Sequence, residues 1–464
     1  MPEFDIALQD ILEPLHEKRY QDLRNYLDTL NPADITEMLQ ALYDDELVSS
    51  EELVKVFRLI PKDLSSDAFV EMDPAMQQAL ISAFSDKELH EVIDDMYLDD
   101  TVDIIEEMPA NVVTRILKNV DADTRRNINL ILRYPEDSAG SIMTIEYVEL
   151  HPYMSVQDAF AEIRRTGVDK ETIYTCYVTD KKKLVGIVTV RELLLAAYED
   201  LVGDIMEENV ISVNTLDDKE EVAQMFAKYD FTALPVVDKE NRLVGIVTVD
   251  DAIEVINDEA TEDIEKMAAI TPSEHPYLKT GVIETWKQRI PWLLLLMISA
   301  TFTGMIITGF EDALSAHVVL TAFIPMIMDT GGNSGSQASV TIIRGLSLGE
   351  IELSDIGEVL WKEIRVAIMC GVSLGAVSMV KLMLVDRMLL GNSSIDLTVA
   401  AVVSATLAFT VLIAKAVGCL LPMGAKKIGF DPAVMASPFI TTIVDALSLM
   451  IYMNLATLLL GIGA

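Results

Sequence analysis

From residue 291 onward the chain alternates long apolar segments with short polar ones. Five apolar segments follow, and each is long enough for a membrane-spanning helix of about 20 residues. The second segment differs because a polar, glycine-rich stretch, residues 329–337, interrupts it. The pattern predicts five spanning helices over residues 292–310, 318–343, 366–385, 397–421 and 433–461.

The first 133 residues have a different pattern, with the apolar spacing of helices and few β-branched runs. A residue before proline is pushed out of the helical region, so each such pair marks a helix boundary. The pairs recur at short intervals, which predicts a stacked array of short helices. They are Asn31-Pro32, Ile60-Pro61, Asp73-Pro74 and Met108-Pro109.

Between these regions the sequence repeats itself. One repeated segment covers residues 184–193 and 243–252, with Gly186 and Gly245 at equivalent positions. A second repeat is the Ile-Met pair, at 142–143 and again at 205–206. A period of about 60 residues, with β-branched and helical runs in each copy, predicts a duplicated βαββα unit.

The repeat resembles a CBS-domain pair, whose two copies pack about a pseudo-twofold axis and often bind adenosine nucleotides. The resemblance implies that Tyr174, Arg191 and Phe231 border a nucleotide cleft, since an aromatic face and a cation suit adenine and phosphate. The alternative is that Tyr174 and Phe231 are core aromatics.

The formal net charge is −39 and is concentrated in the first 290 residues. Such a surface repels nucleic acid and attracts cations, although ordinary solubility is an equal explanation. The chain has three cysteines, Cys176, Cys370 and Cys419, without paired spacing. This argues against a disulfide framework or a zinc site, and we expect a reducing cytoplasm and no secretory signal.

An acidic helix is predicted over residues 250–265, directly before the first apolar segment. Its carboxylates repel one another at spacings of four, as in Glu254 and Asp258. Divalent cations would neutralise them, because Mg²⁺ is held by one or two carboxylates while it keeps its waters; a solvated charged face is the alternative. The apolar stripe is expected at Ile253, Ile256, Ala260, Ile264 and Met267.

Basic residues predict the orientation, because positively charged short loops stay in the cytoplasm. Seven of them fall on one side, whereas the opposite loops hold Glu311 and Asp312, then Asp386, Arg387 and Asp396, so we expect a cytoplasmic N-terminus and an outward C-terminus. The seven basic residues are Lys287, Arg289, Arg344, Lys362, Arg365, Lys426 and Lys427.

Asp445 lies in the last apolar segment with no basic residue within one or two helical turns. A carboxylate near the bilayer centre costs about 2.5–3.5 kcal/mol, so it indicates a wet cavity that handles an ion or a proton. The alternatives are a helix inside a soluble core or a protonated Asp. Thr441 lies one turn earlier on the same side, and Pro438 is expected to free a carbonyl one turn before itself.

The interrupted second segment predicts irregular backbone, which is tolerated at membrane depth only where it lines water or protein. Its glycines would expose carbonyls through unusual dihedral angles, and Asn333 adds an amide oxygen. With the carboxylate of Asp445, these oxygens predict a site for a hard cation such as hydrated Mg²⁺.

The whole chain resembles the MgtE family of magnesium channels, on the motif at residues 331–337 and on Asp431-Pro432, Pro438 and Asp445. The resemblance implies an all-α helical-array N-domain (1–136), an α/β CBS-domain pair (137–200 and 201–250), an acidic connecting (plug) helix with linker (251–290) and an all-α transmembrane domain of five helices (291–464). It also implies a homodimer in the plasma membrane.

The same resemblance implies functional residues. Asp445 would hold hydrated Mg²⁺ with help from the carbonyls of Thr441 and Gly332, and Asp329 is a further carboxylate beside the glycines. Cytoplasmic Mg²⁺ would close the channel through regulatory ligands at Asp99, Asp103, Asp218, Glu220, Asp230, Asp251, Glu254, Glu259, Glu262 and Asp431.

Two other functions are weighed against a Mg²⁺-selective channel. A proton-coupled divalent-cation transporter would use Asp445 as its proton carrier. A CBS-regulated membrane enzyme, such as an intramembrane metalloprotease, would need a His-Glu-x-x-His helix, which the sequence lacks. We therefore predict a transport protein and not an enzyme, with Mg²⁺ as substrate and regulator and with ATP at the CBS pair.

Overall fold

The computed structural model describes residues 2–45, 47–273, 277, 278, 280–435 and 437–461. Part of the predicted linker, residues 274–276 and 279, lies outside these ranges. Tertiary contacts divide the chain into two units, Met1–Ile256 and Asn257–Ala464.

Short helices form the first region of unit 1, as the proline pattern predicts. Four of them begin at Pro32, Lys62, Pro74 and Ala110, at or directly after the predicted boundaries. In the described residues the helices are α1 Pro2–His16, α2 Tyr20–Leu27, α3 Pro32–Asp44, α4 Ser50–Phe57, α5 Lys62–Val70, α6 Pro74–Ala83, α7 Asp86–Asp94, α8 Leu98–Glu107, α9 Ala110–Asn119 and α10 Ala122–Ile131.

Capping and aromatic packing hold this array together. Ser49 and Ser85 each start a helix with a reciprocal capping box, which satisfies backbone donors at the helix start. In the core, the rings of Phe57, Phe69 and Phe84 form a cluster with centroids 5.3–6.2 Å apart. The predicted helical N-terminal domain is confirmed.

The repeat folds as two copies of the predicted βαββα unit, each with a three-stranded sheet. In each sheet the first two strands pair in parallel and the last two pair antiparallel. The elements are β1 Tyr147–Leu150, α11 Val156–Thr166, β2 Thr172–Asp180, β3 Lys183–Thr189, α12 Val190–Leu195, α13 Val202–Ile205, β4 Val213–Asn214, α14 Lys219–Tyr229, β5 Ala233–Val237 and β6 Leu243–Thr248.

The repeated glycines and methionines contact each other across the two copies. A Cβ on Gly186 would lie 2.5 Å from Sδ of Met206, and a Cβ on Gly245 would lie 2.8 Å from Sδ of Met143. Side chains larger than hydrogen therefore do not fit at either glycine. Each copy is packed against the segment that begins the other.

The acidic helix, α15 (Val249–Met267), forms as predicted, but of its predicted apolar stripe only Met267 packs in a cluster, against Ile343 and Ala433. The structure buries Ala252 and Val255 in the core of the second CBS copy, whereas Ile253, Ile256 and Ile264 are 54%, 39% and 63% exposed. The start of the helix completes the CBS core, and this packing fixes which face is buried.

Unit 2 is helical. Beyond α15 it contains α16 Val282–Gly309, α17 Glu311–Ala316, α18 Ile324–Ser347, α19 Ile356–Val380, α20 Leu397–Lys427 and α21 Ser437–Leu460. In the described residues, four helical stretches are long and apolar enough to cross a membrane: Val282–Gly309, Leu353–Leu389, Leu397–Lys427 and Pro432–Leu460. The second predicted segment, now α18, is not among the four because its middle is polar.

The irregular backbone predicted at residues 329–337 is wrong, because α18 is continuous through this stretch. Gly331, Gly332 and Gly335 have helical dihedral angles, and none belongs to the glycines with positive φ. A helix satisfies its own backbone hydrogen bonds, which favours it over irregular backbone in an apolar surrounding. The glycines serve close helix packing instead.

Candidate cation sites

The glycines of α18 allow a close approach to α21. A Cβ on Gly332 would lie 2.7 Å from Cγ2 of Thr441, and a Cβ on Gly335 would lie 2.7 Å from Cγ2 of Ile440. Both distances are shorter than van der Waals contact, so only glycine fits at these positions. The structure thus joins Gly332 and Thr441, two predicted pore residues.

The polar side chains of α18 lie on one face of the helix. Asp329, Asn333 and Gln337 follow one another at spacings of four and are all exposed. On α21, Asp445 and Thr441 are half-buried and one turn apart, and the charge of Asp329 acts on Asp445. Two carboxylates, an amide and a hydroxyl therefore accompany the glycine contact, which is an oxygen-rich set suited to a hard cation.

Pro438 lies in the first turn of α21, where an amide has no partner inside the helix, so it removes no hydrogen bond within that helix. Its own carbonyl accepts hydrogen bonds from the hydroxyls of Thr441 and Thr442, both at 3.0 Å. The hydroxyl of Thr441 is therefore engaged in the helix.

A second group of carboxylates lies in unit 1. Asp99 is in the first turn of α8, Glu146 directly precedes β1 and Glu171 directly precedes β2. One carboxylate oxygen from each lies within 4.8 Å of those of the other two. The backbone N–H of Leu98 donates to Oε2 of Glu146 at 3.2 Å, and the N–H of Glu171 donates to the carbonyl of Glu146 at 3.0 Å. These bonds hold the start of α8 at one edge of the first CBS sheet.

Burial and mutual repulsion make this group electrostatically strained. Burial first, and neighbouring carboxylates second, raise the pKa of Asp100 to about 7, of Asp103 to about 8 and of Glu171 to about 9. The same causes raise the pKa of Asp99 and of Asp251. Asp103 is exposed to solvent, so the direction of its pKa shift is better explained by the neighbouring carboxylates than by burial. Among the described residues no salt bridge reaches these five, so binding of protons or cations would relieve their repulsion.

Four of the predicted regulatory ligands belong to this group, which we call the acidic cluster. It consists of Asp99, Asp100, Asp103, Glu146, Glu171, Asp251 and Glu254. Asp99 and Asp103 lie on α8, and Asp251 and Glu254 lie at the start of α15. The charges of Asp99, Asp251 and Glu254 all act on Asp103. Neighbouring carboxylates on two separate helices thus face one another, as expected for ligands that a cation would bridge.

Glu146 and Glu171 were not predicted, because neither lies in an acidic run. A usable signal was present, since each directly precedes a β-run of the same copy. The first strands of a βαβ unit run parallel, so the residues before them meet at one sheet edge.

The predicted ligands of the second CBS copy lie at the two ends of α14. Asp218 caps the start of α14 by accepting from the N–H of Glu220 at 2.9 Å, whereas Asp230 is the left-handed residue at its end, with φ of 55°. A helix of 11 residues separates these ends by about 16 Å. Asp218 and Asp230 therefore cannot bind one ion from within this chain.

At the other end of α15, a lysine joins two predicted ligands. Nζ of Lys266 lies 2.7 Å from Oδ2 of Asp431 and 2.5 Å from Oε1 of Glu262. The hydroxyl of Ser347 donates to Oδ2 of Asp263 at 3.0 Å, and this fixes the same end of the helix to the end of α18. Lys266 was not predicted, because a single basic residue in an acidic run carries no distinctive pattern. Glu259, two turns before Lys266, is half-buried.

The predicted nucleotide residues lie at the ends of CBS strands. Tyr174 is 73% exposed on β2, so the alternative that it is a core aromatic is wrong. Arg191 is exposed in the first turn of α12. Phe231 is half-buried and stacks on Tyr229 with centroids 5.4 Å apart, directly before β5.

Three family models match the chain. Residues 324–455 match the divalent cation transporter model MgtE, and residues 30–137 match the MgtE intracellular N domain. Residues 139–199 and 202–258 match the CBS domain. The predicted CBS pair is thereby confirmed.

Proteins of known function match over almost the entire length. The magnesium transporter MgtE of Thermus thermophilus is 36% identical over 453 residues, which is 97% of each chain. The magnesium transporter MgtE of Bacillus subtilis is 33% identical over 455 residues, which is 98% of this chain and 97% of that one.

Solved structures match the N-terminal half. The cytosolic domain of the Mg²⁺ channel MgtE in complex with ATP superposes with a TM-score of 0.50 and 36% identity, over 53% of this chain and 99% of that chain. The soluble part of a magnesium transporter gives a TM-score of 0.50 and 28% identity, over 55% and 99%. With full-length relatives above 30% identity and apolar helices that suit a multi-pass membrane protein, the chain belongs to the MgtE family of magnesium transporters.

Proposed function

We propose that Mg²⁺ crosses the membrane as a hydrated ion beside Asp445 and that cytoplasmic Mg²⁺ closes this path by binding the acidic cluster of unit 1. Magnesium transport is the activity of the family, while the path and its regulation are the proposal. The observation that carries it is the contact of Gly332 with Thr441, one turn from Asp445, beside the exposed polar face of α18.

In this proposal the carboxylates attract the cation, and the close approach of the α18 and α21 backbones limits the size of the ion that passes. Mg²⁺ sheds its waters reluctantly, so a site that touches the hydration shell suits it better than a dry cage. Asp445 supplies the main charge, Asp329 a second charge, and Asn333 a neutral oxygen. The carbonyls of Gly332 and Thr441 contribute where the two helices approach most closely.

We propose five membrane spans, with the N-terminus in the cytoplasm and the C-terminus outside the plasma membrane. Four apolar helices are long enough to cross, and α18 is the fifth because apolar partners flank it. Its buried residues include Ile327, Ala338 and Ile342, which lie away from the polar face. A polar helix surrounded in this way is tolerated inside a membrane bundle.

Feedback by Mg²⁺ follows from the repulsion within the acidic cluster. Ions that neutralise the facing carboxylates of α8 and α15 stabilise the arrangement in which these helices are close, and α15 then acts as a plug. A ligand shifts such an equilibrium only by its different affinity for the two states, so several sites together give a steep response. Glu146 and Glu171 join the proposed regulatory ligands, alongside the predicted set Asp218, Glu220, Asp230, Glu259, Glu262 and Asp431.

Assembly and nucleotide binding are further parts of the proposal. We expect a homodimer with the domain boundaries given by the sequence. ATP would bind at the CBS pair, where Tyr174 is exposed for stacking on adenine and Arg191 is available for phosphate. A related cytosolic domain has been solved in complex with ATP, which supports this assignment.

The test is Mg²⁺ flux into liposomes that contain the purified protein, with internal Mg²⁺ varied. We expect Asp445→Asn to abolish flux, because the main charge of the path is lost, while Asp123→Asn, an exposed residue outside both sites, leaves flux unchanged. Asp103→Asn combined with Asp251→Asn should preserve flux and weaken inhibition by internal Mg²⁺. Full flux through Asp445→Asn excludes the proposed path, and unchanged inhibition in the double variant excludes the proposed feedback.

A proton-coupled transporter remains the second candidate, because Asp329 and Asp445 interact and two neighbouring carboxylates can share a proton. Its distinguishing property is flux driven by a pH gradient. Mg²⁺ uptake that is equal with and without the gradient, at constant membrane potential, rules it out.

A further inference from the structure

Two charged residues lie between the apolar helices of unit 2, apart from the sites described above. Lys415, on α20, is 6% exposed. Its Nζ lies 3.6 Å from Oε2 of Glu363 on α19, and the two side chains are 7% and 13% exposed. This Oε2 is buried and, among the described residues, has no hydrogen-bond partner.

Stability does not explain why this pair is present. Removing a lysine and a glutamate from water is costly, and a buried ion pair is often no more stable than well-packed apolar side chains of similar volume. Charged residues among membrane helices therefore indicate a role beyond packing. The best-known structural role of buried polar or charged residues is to fix how one helix is aligned along its neighbour, as a single polar residue does in a coiled coil.

The contact between α19 and α20 needs such a device. A Cβ on Gly371 would lie 2.9 Å from the carbonyl oxygen of Ala408, and one on Gly375 would lie 3.0 Å from that of Ser404. The two helices are therefore antiparallel and meet backbone to backbone through small residues. Such a contact sets how closely the helices approach, but a glycine against a backbone carbonyl pairs no side chains that would fix their rotation. Glu363 and Lys415 continue the same row of contacts two turns further along.

A neighbouring face of α20 packs on α18, the helix of the proposed ion path. Thr410 lies against Gly331, and the carbonyl oxygen of Ala414 lies 3.2 Å from the Cβ position of Gly335. Ala414 adjoins Lys415 in the chain. Any rotation of α20 against α19 would therefore shift the surface on which the α18 glycines rest.

We propose that Lys415 and Glu363 form a positioning pair that fixes the rotation and register of α20 between α19 and α18. The pair touches no ion. It acts on transport through the orientation of the polar face of α18.

The experiment uses the full-length protein, with thermal unfolding in detergent and initial Mg²⁺ flux in liposomes at several external concentrations. The decisive variant is K415M/E363M, which replaces the pair by apolar side chains of similar size. We expect it to unfold at the temperature of the parent or above and to have a maximal flux about tenfold lower, because small displacements near a functional site have large effects. Parent-like flux overturns the proposal.

Further variants keep the test decisive if the apolar pair does not fold. K415R retains the charge and its reach, so we expect flux near that of the parent, whereas K415M leaves Glu363 buried without a partner and should lose both flux and stability. The exchanged pair K415E/E363K should recover more flux than either K415E or E363K alone. A folded K415R with flux as low as K415M, or an exchanged pair no better than its single variants, refutes positioning by the ion pair.

Discussion

The contact between α18 and α21 and the acidic cluster of unit 1 both gather oxygen ligands, but they do so by different means. At the helix contact few charges are present, and glycines set the distance between the helices to within a methyl group. In the acidic cluster, many carboxylates from two helices and a sheet edge lie close together, and their charges act on one another. The first arrangement suits discrimination by shape, whereas the second responds to the amount of positive charge available.

After the loss of flux expected for Asp445→Asn, the largest effect is expected at the glycines. Gly332→Ala places a methyl group 2.7 Å from Cγ2 of Thr441, which must force the helices apart at a cost of about 1–3 kcal/mol. We expect Mg²⁺ flux about 10- to 100-fold lower, measured in liposomes. Gly304→Ala is the matched control, since a Cβ there meets nothing within 4 Å. Equal flux in the two variants would show that close packing does not shape the path.

In the acidic cluster, a single neutral replacement should have a smaller effect. Asp99→Asn keeps the shape of a buried side chain and removes one repelling charge, so the metal-free protein gains about 1–3 kcal/mol of stability. Stabilisation by added Mg²⁺ should shrink, because one ligand charge is missing. Hydrogen exchange in α8 and at the start of α15, followed with and without Mg²⁺, measures both changes. Asp123→Asn is the control, and an Asp99→Asn protein that responds to Mg²⁺ like this control contradicts the role of the cluster.

The raised pKa values predict how pH acts on unit 1. A folded acid with a raised pKa holds protons that the unfolded chain has already lost, so stability falls as pH rises. With pKa values of about 7, 8 and 9 for Asp100, Asp103 and Glu171, the metal-free protein should lose stability from about pH 4 to pH 9. Mg²⁺ replaces these protons, so its stabilising effect should be larger at pH 9 than at pH 6. Calorimetric unfolding at constant ionic strength measures it, and equal effects at both pH values speak against carboxylate ligands.

The smallest effect is expected at the end of α15. Lys266→Met removes the ammonium group between Glu262 and Asp431, so these carboxylates repel each other and a bound cation must replace the lost charge. Lys266, Glu262 and Asp431 are partly exposed, which limits the effect to about 1 kcal/mol. This corresponds to about a fivefold change in the Mg²⁺ concentration that protects residues 259–267 from protease. Lys118→Met, at an exposed residue in α9, serves as the control. An unchanged midpoint would mean that Lys266 does not compete with cations.

Sequence patterns were sufficient where local rules decide the structure. Pairs such as Asn31-Pro32 and Asp73-Pro74 place helix starts correctly, because proline restricts the residue before it. The duplicated βαββα unit was also predictable, since its glycines and β-branched runs recur at a fixed period.

Patterns failed where tertiary packing decides. The polar stretch at residues 329–337 resembles a helix break in isolation, yet its glycines serve contacts with residues more than 70 positions away, such as Thr410. The exposed isoleucines of α15 have helical spacing, but the CBS core selects Ala252 and Val255 instead. Lys415 is the one charged residue of the otherwise apolar segment 397–421, and only the fold reveals its partner Glu363.

The crossed contacts of the CBS copies have a consequence for how this region could be divided. Met206 fills the notch at Gly186, and Met143 fills the notch at Gly245, while backbone hydrogen bonds join Ile187 to Glu207 in both directions. Each copy therefore carries the piece that completes its neighbour. If the chain were divided near residue 200, each fragment would keep one glycine without its packing partner and one methionine exposed to solvent. Only association of the two fragments would restore these contacts.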